Sequence, residues 1–226
     1  MTKKSLRWRG EHDDVEDIVE LVETSFGIQF SEYEKCEFKK VQTFGEFYKK
    51  VISKISLADV DDNTSEQGFQ KLLDSIQKIR NTEIRGIELN TKLINIFPKK
   101  SRREEIQKIE RALDVKLRAF RPTHFSSVAS LILFLIAAFL FWVDWKIGIV
   151  AIVLSFGTFL AIEKSSKVFK DNTIGELVER MTLYNYIKSR QDQTTVNKRE
   201  IENKLKKLFA QNWGFQEKDI GNDTLI

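Results

Sequence analysis

Cysteine, histidine and clustered glycine are almost missing from this chain. One cysteine, Cys36, stands among 226 residues, so no intramolecular disulfide can form, and a reducing compartment suits the sequence. Its neighbours Lys35 and Glu37 offer no base that would activate a catalytic thiol. The only histidines, His12 and His124, lack a second His or Cys at ligand spacing, which argues against a zinc site. The ten glycines are dispersed, so no phosphate-cradling loop is present. Met1 to Gly10 carries cations and then acids in place of an apolar core, so no signal peptide is expected. No grouping of side chains supports an enzyme, and no cofactor is expected.

Charge is missing from one long block. Phe125 to Ile162 is apolar except at Asp144-Trp145-Lys146. Its arms, Phe125 to Val143 and Ile147 to Ile162, each approach the roughly 17–25 residues a helix needs to cross a bilayer. The expectation is a transmembrane hairpin with Asp144 and Lys146 at its wet tip and Trp142 and Trp145 at that interface. Neither arm carries an ionisable residue at mid-depth, which argues against transport. Ser130, Ala137 and Ala138 on one arm, and Gly148, Ala151 and Ser155 on the other, would let the arms pack closely.

The rest of the chain is polar. Mean hydropathy is −0.32, and 37 Lys and Arg against 33 Asp and Glu give a net charge of +4. The distribution matters more than the sum. Lys99, Lys100, Arg102, Arg103, Lys108, Arg111, Lys116, Arg118 and Arg121 crowd the approach to the first arm, and Lys164, Lys167 and Lys170 follow the second. The positive-inside rule then places both termini in the cytoplasm, with the chain multi-pass in the cytoplasmic membrane. Lys99, Lys100, Arg102, Arg103, Arg118, Arg121, Lys164 and Lys167 are expected to face anionic lipid, at about 1 kcal/mol each close to the surface. Nucleic acid is not expected as a partner, since Glu104, Glu105, Glu110 and Asp114 interrupt the cations and no reader motif is present.

The polar parts read as amphipathic helices. Val15, Ile18, Val19, Val22 and Phe26 form one stripe, closed by Gly27. Thr43 and Glu46 make a capping box before Phe44, Phe47, Tyr48, Val51, Ile52 and Ile55. Asp59-Val60-Asp61-Asp62-Asn63 reads as an exposed acidic linker. Thr64 with Gln67 starts a helix striped by Phe69, Leu72, Leu73, Ile76 and Ile79, and Ser101 with Glu104 starts another through Ile106, Ile109 and Leu113. Pro122 stops the chain before the apolar block. Thr173 with Glu176 and Asn197 with Glu200 open the last two helices. The fold class is therefore all-α. The expected divisions are 1–58, 64–121 with the basic segment, the hairpin 125–162 (arms 125–143 and 147–162), and 173–226. One internal echo stands out: Thr43-Phe44-Gly45-Glu46-Phe47 matches Thr173-Ile174-Gly175-Glu176-Leu177, although Gly at the middle position costs helix propensity.

These motifs resemble acyl carrier protein. The run from Glu20 through Thr24-Ser25-Phe26-Gly27-Ile28, the acidic stretch from Ser31 to Lys39, and the helix from Thr43 to Ile52 resemble that family's second half. Ile201 to Leu208, then Trp213-Gly214-Phe215 to Ile220, resembles its first half. The order is reversed, so the resemblance implies either one permuted bundle built from both chain ends or a second, degenerate copy from Thr173 onward. It implies partner recognition through Glu16, Asp17, Glu20 and Glu23, which an electropositive protein surface would match. The family esterifies phosphopantetheine to the Ser of an Asp-Ser-Leu motif. The aligned segment here, Gly10-Glu11-His12-Asp13-Asp14, has no Ser, and Asp74-Ser75-Ile76 reads as an ordinary polar helix face. Phe97-Pro98-Lys99-Lys100-Ser101-Arg102-Arg103 before a hairpin is similar to a group of uncharacterised bacterial two-span membrane proteins.

The sequence thus points to a noncatalytic membrane-anchored interaction or scaffold protein with pseudo-acyl-carrier parts, an unknown protein partner, and the capacity to form a homo-oligomer. The alternatives are an accessory subunit of a membrane enzyme acting on lipid or acyl substrates, or a small oligomeric pore. As helix N-caps, Thr43→Ala and Thr173→Ala should each cost about 0.5–2 kcal/mol, read as a lowered midpoint in chemical unfolding; an unchanged midpoint in both would remove the assignment.

Overall fold

The computed structural model describes residues 12–81, 86–121, 124–214 and 216–226, and leaves the side chains of 12–14, 124–127 and 162–165 outside that description. The fold is predominantly helical, with four two-residue strands among the described residues. It divides into two compact units. The first comprises Met1–Leu89, Lys108–Leu117 and Gly175–Ile226; the second comprises Asn90–Gln107 and Arg118–Ile174.

The first unit begins with α1 (His12–Phe26), which buries Val15, Ile18, Val19, Val22 and Phe26. Gly27 then takes φ +63°, and the Ile28 N–H donates to the Glu23 carbonyl at 3.2 Å, the six-to-one bond that closes helices at a left-handed residue. The acidic stretch that follows is itself a short helix, α2 (Glu32–Phe38), started by a capping box of Ser31 and Glu34. Helix α3 (Phe44–Lys54) starts at Thr43, whose hydroxyl accepts the Glu46 N–H at 3.2 Å, while the Glu46 carboxylate reaches the Gln42 N–H at 2.9 Å.

That stripe closes on the far end of the chain. Helix α11 (Lys198–Trp213) buries Ile201, Leu205, Leu208 and Phe209 in the core that holds Val19, Val22, Phe47 and Val51. The rings of Phe47 and Phe209 meet edge-on at 4.9 Å, and Trp213 adds a second edge contact to Phe209 at 4.4 Å. The chain ends therefore share one core.

Backbone pairing reinforces it. Thr43 bridges Leu225, and the Phe44 and Gly45 N–H groups donate to the carbonyls of Thr224 and Asn222 at 2.9 and 3.0 Å. A Cβ on Gly45 would lie 2.9 Å from the Asn222 oxygen, so glycine is needed there. The echo at Thr173 repeats the device before α9 (Ile174–Tyr184). Thr173 bridges Lys92, the Ile174 N–H donates to Thr91, and the Gly175 N–H donates to Leu89 at 2.7 Å. A Cβ on Gly175 would lie 3.0 Å from the Leu89 oxygen. Close approach of a turn, at Asn222 in one copy and Leu89 in the other, explains glycine in both.

Helix α4 (Thr64–Arg80) is capped by Asn63, whose side chain accepts the Glu66 N–H at 3.1 Å. The expected cap Thr64 stands one residue inside. Its hydroxyl is taken by Arg190, which lies just beyond α10 (Tyr186–Ser189) and is wholly buried. The Arg190 guanidinium also reaches Asp62 at 2.8 Å and the Thr195 hydroxyl at 2.9 Å. The segment from Asp59 to Asn63 is thus no free linker. Strand β1 (Ala58–Asp59) pairs in parallel with β4 (Thr195–Val196), and the Val60 N–H donates to the Val196 carbonyl at 2.7 Å. Ser75 is also buried, against the expectation of a polar face.

The second unit holds α5 (Leu93–Ile96), the start of α6 (Arg102–Leu113), and two long helices, α7 (His124–Val143) and α8 (Trp145–Ser165). The turn between the long helices is tighter than expected: Asp144 alone separates them, and its carboxylate caps α8 by accepting the Lys146 N–H at 2.8 Å. Ala137, Gly148 and Ser155 are buried between the arms. A Cβ on Gly148 would fall 2.1 Å from Phe141 Cα, so only glycine permits this approach. Strand β2 (Phe120–Arg121) runs antiparallel to β3 (Val168–Phe169). Among the described residues, no helix is long and apolar enough to cross a membrane.

Truncation at Phe209 removes the ring that joins the two chain ends. Phe209→Ala should cost about 3–5 kcal/mol in guanidinium unfolding followed by tryptophan fluorescence.

Candidate partner-binding cleft

Helix α1 turns its polar face toward α2, and the two enclose a cleft of about 390 Å³. The floor is Val15, Val19 and Phe38; Glu16, Glu20 and Glu23 form one wall, and Lys35 and Lys39 the other. The turn that sets the two helices together is local. Phe30 is buried edge-on against Phe38 at 4.8 Å, and its N–H donates to the Glu23 carboxylate at 2.6 Å.

The four expected acids divide into two kinds. Glu23 is largely covered, holds the α1–α2 turn and pairs with Lys35 at 3.6 Å. Glu16 pairs with Lys39 at 2.5 Å, which lowers its carboxyl below the ordinary range. Asp17 and Glu20 are exposed. The face is therefore not uniformly acidic, because α2 brings lysines that the sequence order alone does not place beside α1. In turn, Glu23 first and Glu32 second hold the Lys35 ammonium above its ordinary pKa. Exposed Cys36 stands in the cleft wall among these charges.

A second set of charges fixes the far side of α2 to α3. Lys54 reaches both oxygens of Glu34 at 2.8 and 2.9 Å and lies 5.9 Å from the Phe30 ring centre. The Lys54 hydrogen bond, followed by the Ser31 N–H and hydroxyl, draws the Glu34 pKa down to about 2. The arrangement offers no nucleophile with a base, and among the described residues no three His, Cys, Asp or Glu come together as metal ligands. Its chemistry is recognition: an apolar floor rimmed by charges of both signs.

The expected lipid-facing cations also divide. Lys99, Lys100, Arg118, Arg121 and Lys167 are exposed. Arg102 and Arg103 are not simple surface cations. Arg102 is buried, donates to the Lys167 carbonyl at 2.9 Å and lies 4.9 Å from the Phe169 ring centre. Arg103 donates to the Ser166 carbonyl at 2.6 Å and lies 5.5 Å from the Phe120 ring centre. The side chains of Lys164 and of the aligned segment Gly10 to Asp14, where a carrier serine would fall, lie outside the description.

Elsewhere in the first unit, sequence reasoning missed the polar network around Arg190. The Glu200 carboxylate accepts the Thr64 N–H at 3.1 Å and the Tyr186 hydroxyl at 3.2 Å, and that hydroxyl accepts the Asn197 N–H at 3.0 Å. Burial pushes the Tyr186 phenol up and the Lys204 ammonium down. Nothing local in Ser189-Arg190-Gln191 announces this role. No family model, curated protein or solved structure matches the chain.

The folded pKa of Glu34 lies below its unfolded value near 4.5. Its contribution to stability is therefore present above pH 4.5 and is lost as pH falls toward about 2. Lys54→Ala should raise the Glu34 pKa toward the ordinary carboxylate range, followed by carboxyl carbon shifts in an NMR titration.

Proposed function

We propose that this chain is a noncatalytic, membrane-anchored interaction module. In this reading α7 and α8 form a bilayer-spanning hairpin with both chain ends on the cytoplasmic side. The first unit is a carrier-like bundle in permuted order that presents the α1–α2 cleft to a protein partner.

The observation that carries the anchor is the surface of the hairpin. Nearly all the exposed large apolar side chains of the described chain lie on α7 and α8, among them Trp142 at 91%, Phe139 at 67% and Leu154 at 66% exposure. Single exposed apolar residues are ordinary, but a contiguous apolar surface of this extent is not left in water by a stable monomer. The helices run 20 and 21 residues, or about 30 Å each at 1.5 Å per residue, equal to a hydrocarbon core. The apolar side chains described within them cover 128–143 and 145–161, short of a full crossing, and the sequence continues uncharged from Phe125 and to Ile162.

The noncatalytic reading rests on the missing attachment serine. An acceptor hydroxyl must be exposed at a helix start, whereas Ser75 is 8% exposed and lies well inside α4. The partner-binding reading rests on the cleft, whose exposed Glu20 favours an amphipathic partner bearing a cation, with Asp17 exposed on the same helix.

Two measurements test the proposal. The full chain should stay in the membrane pellet after alkaline carbonate extraction; release into the supernatant would overturn the anchor. Intact mass after co-expression with a phosphopantetheinyl transferase should be unchanged, and an added phosphopantetheine on any serine would overturn the noncatalytic reading.

A further inference from the structure

The residues that frame the base of the α7–α8 hairpin form a built junction. The chain reaches α7 through β2 and leaves α8 through β3, with Phe120 opposite Phe169 and Arg121 opposite Val168. Phe120 and Phe169 stack at 5.2 Å with their planes 19° apart. Two consecutive arginines at the start of α6 then clamp this ladder. Each takes one ring and one carbonyl: Arg102 the Phe169 ring and Lys167 oxygen, Arg103 the Phe120 ring and Ser166 oxygen. The Ser166 hydroxyl donates to the Arg121 carbonyl, and the Lys170 N–H donates to Ala119 at 2.8 Å. The turn before α6 is fixed too, since the Pro98 carbonyl accepts the Ser101 and Arg102 N–H groups at 3.1 and 2.9 Å.

The clamp separates two jobs that the sequence merges in one basic run. Arg102 and Arg103 each commit one guanidinium nitrogen to a carbonyl and a face to an aromatic ring. They position the exposed cations around them: Lys99 and Lys100 in the turn just before α6, Arg121 three residues before α7 begins, and Lys167 two residues after α8 ends. Among the described residues of that stretch Glu104 is exposed and Glu105 half-buried, so the exposed cations outnumber the exposed acids.

We infer that Lys99, Lys100, Arg121 and Lys167 form a fixed collar that binds the headgroup of an anionic phospholipid. The inference rests on the hairpin being membrane-inserted, because a headgroup is the anion found at the point where two apolar helices leave a bilayer. Lysines are suited to the task as mobile point charges, and the guanidinium forks to holding the frame. The ring and carbonyl contacts of Arg102 and Arg103 fix the backbone from which these cations project, which removes part of the ordering cost that a flexible basic tail pays on binding.

The test uses the full chain, with phosphatidylcholine and phosphatidylglycerol as probes. Flotation with pure phosphatidylcholine vesicles comes first; failure to float would remove the membrane reading and the collar together. Bound lipid is then counted by native mass spectrometry in a mild detergent supplied with both lipids in equal amount. The wild-type chain should retain phosphatidylglycerol preferentially. The triple variant Lys99→Gln/Lys100→Gln/Lys167→Gln should float as before but lose that preference by about tenfold to a hundredfold. A control, Lys49→Gln/Lys78→Gln/Lys116→Gln, removes equal charge from exposed sites of the other unit and should keep it. Equal losses in the two variants would reduce the effect to net charge and overturn the collar. Displacement of the lipid by inorganic phosphate would assign the site to a free anion and overturn it as well.

Discussion

Everything in the first unit depends on one meeting, that of the α1–α3 segment with α11. Two or three short amphipathic helices bury too little apolar surface to offset the entropy of ordering them. The aromatic cluster of Phe44, Phe47, Phe209 and Trp213 supplies what each half lacks. The contact is enforced at backbone level by the arm of residues 222–226 against the start of α3, where the Ile226 N–H donates to Gln42 at 2.9 Å. Arg190 adds the polar counterpart, joining Asp62, Thr64 and Thr195 from parts of the chain well separated in sequence. A buried guanidinium gives little net stability when paired, yet removing a partner leaves a charge uncompensated. The network therefore penalises wrong pairings more than it strengthens the right one.

What was legible in the sequence was local. The stripes of α1, α3, α4 and α11 follow from side-chain periodicity, and Thr43 and Asn197 are caps because their partners lie within three residues. The long-range fact that the chain ends share one core was open in the sequence, where the order of the motifs allowed one bundle from both ends or a second, degenerate copy. The errors arose where a distant group competes for a local one. Thr64 yields the cap to Asn63 because Arg190 occupies its hydroxyl. The acids at 59–63 are engaged because β4 and Arg190 come to them. Glu16 and Glu23 are partly neutralised because α2 is a helix that brings Lys35 and Lys39 across. Arg102 and Arg103 read as two more surface cations until Phe120 and Phe169 are placed beneath them.

The pentapeptide echo has more content than its five residues suggest. Around Gly45 the partners are Asn222, Thr224 and Leu225; around Gly175 they are Leu89, Thr91 and Lys92. The spacing within the two arms is the same. Each arm also follows a helix closed by a left-handed residue, Gly214 after α11 and Asn81 after α4. A helix with a left-handed stop, a later turn with its bridged residue, and a glycine-admitting helix start thus recur among the described residues. In both occurrences the helix that receives the arm is far from it in sequence or separated from it by the apolar block.

The shared core also sets an order of events during synthesis. Helix α1 ends at Phe26 and its partner α11 begins at Lys198, and at ribosomal speeds of about 5–20 residues per second the interval is on the order of ten to thirty seconds. Until then Val19, Val22, Phe44 and Phe47 have only the N-terminal part of their core, such as the contact of Phe38 with Phe47, to close against. The two most apolar helices leave the ribosome before the first core can form. The N-terminal helices of the first unit are thus made long before the helix that completes their core.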